Sequence, residues 1–362
     1  MLYKSWFIVK CKSAFVELMR VRLEDVCEKE SSKLKQSDVI DQNGLYPVYG
    51  ASGYLGNINT YQQSNYYIAV VKDGAGIGRT MLLPPESSII GTMQYLIPKD
   101  NVLPEYLYYV VKAKHLEKYF SGATIPHIYF KDYKNEQFDL VSFDEQREII
   151  NRLKKIEIII DNLSKNLLLL DELVRARFME MFGDPITNDK HLKLQSLFDL
   201  SVLKAGKSIK TGELSEVYDD ETLMYPCFGG NGIRGYINRY SHDGEYPVIG
   251  RQGAWAGNVN YATGKFYATE HAIVVTPKVE LNTVWYYYGL KYIDLTRFQT
   301  GAAQPGLAVD KLNKVIIPFP TIKLQNQFAS FVEEIDKSRS RIQKSLEASQ
   351  ELFDSLMQEY FG

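Results

Sequence analysis

Cysteine is scarce: Cys11, Cys27 and Cys227 are odd in number and carry no CxxC spacing, which argues against a disulfide framework and against a zinc site. Three reduced thiols are expected. A dominant charge is missing too, because 42 basic residues stand against 44 acidic ones and leave a formal net charge of −2. Such a chain has no overall attraction to nucleic acid or anionic lipid, so any DNA contact must come from local patches. Long apolar runs are absent: "IEIIID" and "NLLLLDEL" meet charges within a few positions, far short of the roughly 18 residues of a membrane span. The start, "MLYKSWFIVKCKS", has a short apolar patch and no small-residue cleavage site, unlike a signal peptide. These absences together predict a cytoplasmic protein with no membrane partner.

Catalytic signatures are equally thin. A DNA amino-methyltransferase needs an (N/D)PP(Y/F) cluster, and "DPIT" at Asp184 is the nearest approach; no GxxxxGK(S/T) loop occurs. "DGAGIG" at Asp73 looks like a nucleotide loop, but it leads into the strand-like "RTMLLPP" and not into the helix that phosphate binding requires. His115, His127, His191, His242 and His271 are scattered, with no HExxH or i,i+4 pair to hold a metal.

What the chain does have is itself, twice. At 362 residues it is long enough for two or three domains. "YPVYGASGYLGNI" at Tyr46 returns as "YPCFGGNGIRGYI" at Tyr225, 179 positions later, and Gly50/Gly229, Gly78/Gly257, Gly122/Gly301 and Gln146/Gln325 keep that offset to the end. "KDGAGIGRT" faces "RQGAWAGNV", "SGATIPHI" faces "TGAAQPGL", and "EMFG" faces "EYFG". Before Tyr46 and Tyr225 the register slips, with "RLEDV" at Arg22 best matched to "LQSLF" at Leu194. Each half reads as a mixed domain of short Tyr/Val/Ile strands such as "YYIAVVK" and "FYATEHAIVV", then a helix begun by Pro104 and closed by Gly122 in the first copy. The tyrosines of that helix are expected to pack.

After Phe143 the period changes. Ile149, Leu153, Ile156, Ile160, Leu163, Leu167, Leu170 and Val174 recur in steps of four and three, an unbroken coiled-coil stripe. The second copy offers Phe328, Val332, Ile335, Ile342, Leu346 and Phe353, interrupted by Arg339 and Ser349. The two helices are each other's expected partners. Ile150, Ile159, Leu169 and Leu173 lie off the seam and leave apolar surface either for a further protein or for the adjacent domains. The predicted class is α+β: two tandem mixed domains separated by two long helices in an antiparallel coiled coil, with an internal pseudo-twofold repeat. The boundaries are an N-terminal arm over 1–20, a first domain over 21–141, a spacer helix over 142–183, a linker over 184–193, a second domain over 194–319 and a second spacer helix over 320–362.

The run "GNGIRGYI…IGRQGAWAGNV…KFYATEHAIVVTP", the "TGAAQPGL" loop, the "IPFPTIKLQNQ" lead into a helix and the "EMFGDP" exit resemble the DNA-specificity subunit of type I restriction-modification systems. The resemblance covers nearly the whole chain. It departs at "SFDEQ", where a proline-rich lead is usual, and the first mixed domain fits the pattern less closely than the second. The resemblance implies two target-recognition domains, each reading one half of a bipartite asymmetric site in double-stranded DNA, and a coiled coil that spaces them and docks methyltransferase (modification) subunits. It implies no catalysis and no cofactor on this chain: S-adenosylmethionine belongs to the methyltransferase partner, and a separate restriction/translocase subunit moves and cuts DNA. A helix of about 37 residues is on the order of 55 Å long, enough to serve two major-groove segments roughly 34 Å apart.

Base reading needs forked side chains on loops, Arg for guanine and Asn or Gln for adenine. The glycine-flanked turns of the second domain supply Asn231, Arg234, Arg251, Gln252 and Gln304; those of the first supply Asn57, Lys72, Arg79, Thr124 and His127. Trp255 is expected to pack, with base stacking as its second use, and His271 to be structural within a strand. Two readings from other classes stay open at this point: a duplicated protein- or glycan-binding scaffold on a coiled-coil spacer, and an enzyme with a site between its two halves.

Overall fold

Strand-forming and helix-forming runs alternate in the order the repeat requires. The computed structural model describes residues 19–40, 43–74, 76–122, 126–218, 223–301 and 305–362. Most of the expected N-terminal arm, with Cys11, lies outside the described residues, as do Thr124 and Gln304. The first copy runs β1 (Met19–Arg22), α1 (Leu23–Val26), β2 (Cys27–Ser31), β3 (Tyr46–Gly50), β4 (Gly53–Ile58), β5 (Tyr67–Val71), β6 (Thr80–Leu83), β7 (Ser88–Ile89), β8 (Met93–Pro98), α2 (Pro104–Ala113), α3 (Phe130–Tyr133), β9 (Gln137–Leu140) and α4 (Phe143–Phe182). The second runs β10 (Leu194–Ser196), α5 (Leu197–Leu200), β11 (Ser201–Ala205), β12 (Tyr225–Gly229), β13 (Gly232–Ile237), β14 (His242–Asp243), β15 (Tyr246–Gly250), β16 (Val259–Ala262), β17 (Lys265–Ala268), β18 (Ala272–Pro277), α6 (Thr283–Tyr292), α7 (Val309–Leu312), β19 (Ile316–Pro318) and α8 (Ile322–Phe361).

The chain divides into two units, one holding the residues up to Leu163 with Ser345–Gly362, the other Ser164–Lys344. In the first, β2-β8-β5-β6 form an antiparallel sheet, β4-β3-β7 a smaller one, and β1-β9 a ribbon. The second repeats this as β11-β18-β15-β16, β13-β12-β17-β14 and β10-β19. The central strand β5, YIAVV, is buried throughout, because both its faces are covered. Its alternate side chains Ile68 and Val70 join a core with Tyr106, Leu107 and Val110 of α2, while Tyr67, Ala69 and Val71 join Met93 and Tyr95 in a second cluster. The second unit does the same with Ile249, Ile273, Trp285, Tyr286 and Leu290 on one side and Val248, Val274, Phe266 and Phe228 on the other. Tyr106 and Tyr109 of α2 are buried, as a packing role requires.

Three details of the expected layout change. The helix begun by Pro104 ends at Ala113, well short of Gly122, because the chain turns through left-handed His115 into a short 3-10 turn over Leu116–Tyr119. The early match runs from Arg22 to Ser196, not to Leu194: α1 and α5 both start there, Arg22 N–H donating to Asp25 at 2.8 Å and Ser196 Oγ accepting from Asp199 N at 3.1 Å. "FYATEHAIVV" is two strands in two sheets. Buried Thr269 ends the first, its N–H and its hydroxyl both donating to the Phe228 carbonyl at 3.0 Å, and its own carbonyl accepts from Ala272 N at 3.0 Å.

Helices α4 and α8 run antiparallel within each unit. In the first, Ile150, Leu153 and Ile156 share a core with Phe353, Met357 and Phe361, and Arg152 Nη1 donates to Tyr360 Oη at 3.1 Å. In the second, Val174, Phe178 and Phe182 meet Phe328, Val332 and Ile335, and the seam's polar break, Arg339, reaches Asp171 at 2.7 Å. All the a/d positions of α4 and α8 are buried or half-buried: Ile149, Ile160, Leu163, Leu167, Leu170, Ile342 and Leu346 are half-buried, as are the polar breaks Arg339 and Ser349. Past Val174 and past Phe353 the apolar step becomes four, so that Phe182 and Phe361 swing into the domain cores beside Trp285 and Tyr106. Off the seam, Ile150 is buried in the first domain's core, whereas Ile159 in the first unit and Leu169 and Leu173 in the second are exposed.

Candidate nucleic-acid interface

In the second domain the β12–β13 hairpin, the loop after β15 and the β17–β18 turn converge on an open cavity of about 490 Å³. Glycine permits the convergence. A Cβ on Gly250 would lie 2.2 Å from the Trp255 carbonyl oxygen and 2.3 Å from that of Gly230, so β15 can end against the hairpin only without a side chain. Gly257, at φ +87°, likewise tucks the loop under the turn at Thr296, where a Cβ would lie 2.7 Å from that residue's amide nitrogen, and Gly78 repeats this at Glu117 with φ +81°, where a Cβ would lie 2.6 Å from the amide nitrogen.

Asn231, Arg234 and Gln252 line the cavity, so the fold brings three of the five candidates of this domain together. Arg234 is exposed on β13, its stem lying over Gly229, and has no hydrogen-bond or ion-pair partner among the described residues. Asn231 Oδ1 accepts from Asn258 Nδ2 at 3.2 Å, and its own amide donors have no partner among the described residues. Gln252 caps the short Gly253–Trp255 turn and is exposed. Arg251 is different. Its backbone is stitched to His271 and Leu307, and its Nη1 leans toward the Glu270 carbonyl at 3.5 Å. Two residues expected to be structural join the cavity instead: Trp255 is 55% exposed on its wall, and His271 sits in the β17–β18 turn, Nε2 3.4 Å from Glu270. A hidden strand break is why the sequence misplaced His271.

The first domain scatters its candidates more widely. Asn57, on β4, accepts from Tyr54 Oη at 3.1 Å. Arg79 is exposed beside a cavity of about 370 Å³ lined also by Lys112 and Glu117, and its Nη1 donates to the Ala51 carbonyl at 2.8 Å, which ties this loop to the β3–β4 hairpin. Lys72 lies 3.8 Å from Asp73, and Asp73 holds His127 Nδ1 at 2.7 Å. Buried Gln146 and Gln325 went unassigned from sequence despite their shared offset. Gln146 Oε1 accepts from Leu103 N and Gln325 Oε1 from Asn282 N, both at 2.8 Å, locking each long helix to the start of the domain helix in its unit.

Burial raises the Cys227 thiol against the pull of Arg234 and Arg239, and takes Cys27 up to about 12, so neither is a ready nucleophile. Among the described residues no group of three or more His, Cys, Asp or Glu could hold a metal, and no helix is long and apolar enough to cross a membrane.

Residues 16–169 and 190–350 each match the type I restriction modification DNA specificity domain. The chain belongs to that family. Among its relatives is the EcoprrI type I restriction enzyme specificity subunit of Escherichia coli, 42% identical over 144 residues, which are 40% of this chain and 36% of that relative's length. The MjaVIII specificity subunit of Methanocaldococcus jannaschii is 19% identical over 324 residues, 77% of this chain and 76% of its own. The type I restriction-modification S subunit from M. genitalium, known from its crystal structure, shares the fold: 98% of each chain aligns at a TM-score of 0.66 and 18% identity. Two copies of that domain in one chain account for the 179-residue repeat.

Proposed function

We propose that this specificity subunit is the non-catalytic DNA reader of a cytoplasmic type I complex, each domain recognising one half of a bipartite, asymmetric site. The observation that carries this reading is one loop frame built twice around different polar side chains. Asn231, Arg234 and Gln252 converge in one copy, where Asp73 and His127 pair in the other. Forked Arg and amide side chains on fixed loops are the chemistry of base edges. The exposed Ile159 in one unit, and Leu169 and Leu173 in the other, offer α4 to modification subunits, and S-adenosylmethionine is carried by those partners. A restriction/translocase subunit joins the same complex. With a net charge of −2, the chain contributes little phosphate neutralisation of its own, so DNA binding belongs to the assembly.

The test is to coexpress the chain with methyltransferase subunits, purify the complex and map methylated sites in a methylation-free host. The expected outcome is one asymmetric motif in two parts separated by an unspecified spacer, bound with steep salt dependence. A continuous motif, or a binding constant unchanged between low and high salt, overturns the proposal.

A further inference from the structure

We infer that Asp73 and His127 form the reading pair of the first domain, His127 contacting a base edge and Asp73 positioning it, and that Gln252 and Gly306 hold the same two places in the second. This deepens the DNA-reading proposal and rests on it.

The two places share one backbone. Gly74 N donates to the Pro126 carbonyl at 3.0 Å, and Gly253 N to that of Pro305 at 2.9 Å. Ile128 N donates to Lys72 O at 2.9 Å, Leu307 N to Arg251 O at 2.8 Å. Ser121 and His127 exchange two bonds of 2.8 Å; Thr300 and Gly306 exchange two of 2.9 Å. Asp73 bridges His127 just as Gln252 bridges Gly306. Among the described residues these backbone bonds match pair by pair, and the side chains differ.

Gln252 lines the second domain's cavity, so equivalence puts Asp73 and His127 on the corresponding surface of the first. There the chemistry is directional. An ionised carboxylate only accepts, so the 2.7 Å contact from Asp73 Oδ1 puts the hydrogen on His127 Nδ1. Nε2 is then the ring's remaining polar atom, and in the neutral imidazole it accepts, the complement of an exocyclic amino group on adenine or cytosine. The ring also lies 27° from parallel with Tyr129 at 6.3 Å, so the Asp73 contact and the Tyr129 ring together restrict its orientation. The side chain is 37% exposed, enough to be reached. At Gly306 the place is vacant, leaving the longer Gln252 amide to reach a base with both a donor and an acceptor.

The test uses the complete complex and methylome mapping. His127→Gly copies a residue that this backbone already accepts at position 306, so folding is retained. The expected result is that one base pair of the first half-site becomes degenerate, discrimination there falling about tenfold, the loss of one good base contact, while the second half stays unchanged. Asp73→Asn, which no longer dictates the tautomer, should loosen the same base pair and no other. As a gain-of-function arm, Gln252→Asp combined with Gly306→His should give the second half-site a new preference. That graft has room, because a Cβ on Gly306 meets nothing closer than 3.9 Å. An unchanged motif in His127→Gly, or equal weakening at every sequence, overturns the pair as a reader. A wild-type complex without a two-part motif would instead sink the underlying DNA-reading proposal.

Discussion

Arg234 and Arg251 carry the same charge in the same domain, yet their surroundings separate them. Arg251 has backbone bonds on both sides and a guanidinium directed at the Glu270 carbonyl, whereas Arg234 projects from a strand with its fork free among the described residues. A free fork on a rigid strand suits bidentate contact with guanine, because the planar guanidinium makes two hydrogen bonds for the ordering of one side chain. Arg234→Ala is therefore expected to lower discrimination at one base pair of the second half-site by about 1 to 3 kcal/mol with assembly intact. Methylation-site mapping checks it, and uniform weakening at all sequences would make Arg234 a phosphate contact. Neighbouring Trp255 gives a spectroscopic handle in a Trp6→Phe background, since Trp285 is buried among Tyr286, Phe182 and Phe319 and is shielded from DNA. Specific DNA should change the emission of that complex, and Trp255→Phe should abolish most of that change. At this scale residue type was legible in the sequence, but the direction of each side chain was not, because direction depends on the hairpin, loop and turn that meet at the cavity.

Elements differ in how openly their sequences declare them. The seam of α4 was plain, since a four-three step over eight positions fits nothing but a helix packed along one stripe. The β17–β18 break was hidden: "YATEHAIVV" is strand-prone throughout, and what stops it is a buried threonine bonding a carbonyl 41 positions away. Gln146 and Gln325 were visible as a repeat but silent as to purpose, for a glutamine in a helix is ordinarily a solvated one. Being buried, Gln325 also donates from Nε2 to the Pro320 carbonyl at 2.9 Å, so Gln325→Ala strands an N–H and a carbonyl at once. Denaturant unfolding should show a loss of about 1 to 3 kcal/mol, with Gln146→Ala behaving alike. The ribbon side of the first domain adds a pH dependence. A hydrogen bond from Lys134 at 2.8 Å holds the Glu24 carboxyl below the ordinary range; burial works against the charge on Glu136, but Lys118 at 2.6 Å and Tyr119 outweigh it and lower that carboxyl too. Groups with depressed folded values contribute stability that is present above the unfolded carboxylate value of about 4.3 and is lost as pH falls through the folded values. Urea midpoints should thus drop below about pH 4, and Lys134→Met with Lys118→Met should flatten that fall; an unaltered pH profile in the double variant would count against these bonds.

For the whole molecule, the repeat foretold the architecture, because an offset of 179 positions kept from Tyr46 and Tyr225 to Phe182 and Phe361 demands equivalent domains on equivalent helices. What the offset could not reveal is how each long helix is rooted. Phe178 and Phe182 from the end of α4 enter the second domain's core against Trp285 and Phe328, and Met357 and Phe361 from the end of α8 enter the first domain's core beside Tyr106. Each domain is therefore completed by the end of the long helix that follows the other domain. This sets the conditions for exchanging a recognition domain. Residues 194–319 run from the start of β10 to just past its partner β19, so the cut opens at a paired ribbon and leaves β11 to α7 intact. A replacement keeping an aromatic at Trp285, a backbone N–H at Asn282 for Gln325, and small Gly289, whose Cβ would come 3.9 Å from Phe178, should fold on the resident helices. The complex is then expected to methylate a hybrid site, its first half unchanged and its second half that of the donor. A replacement of equal length with a polar residue at Trp285 should remove one of the rings packed on Phe182, leaving it Phe178 and Phe328, and cost about 3 to 5 kcal/mol in domain stability. Methylome mapping separates the outcomes: a change in both halves would mean that base reading is shared between the domains, and retention of the original second half would mean that residues outside 194–319 do the reading.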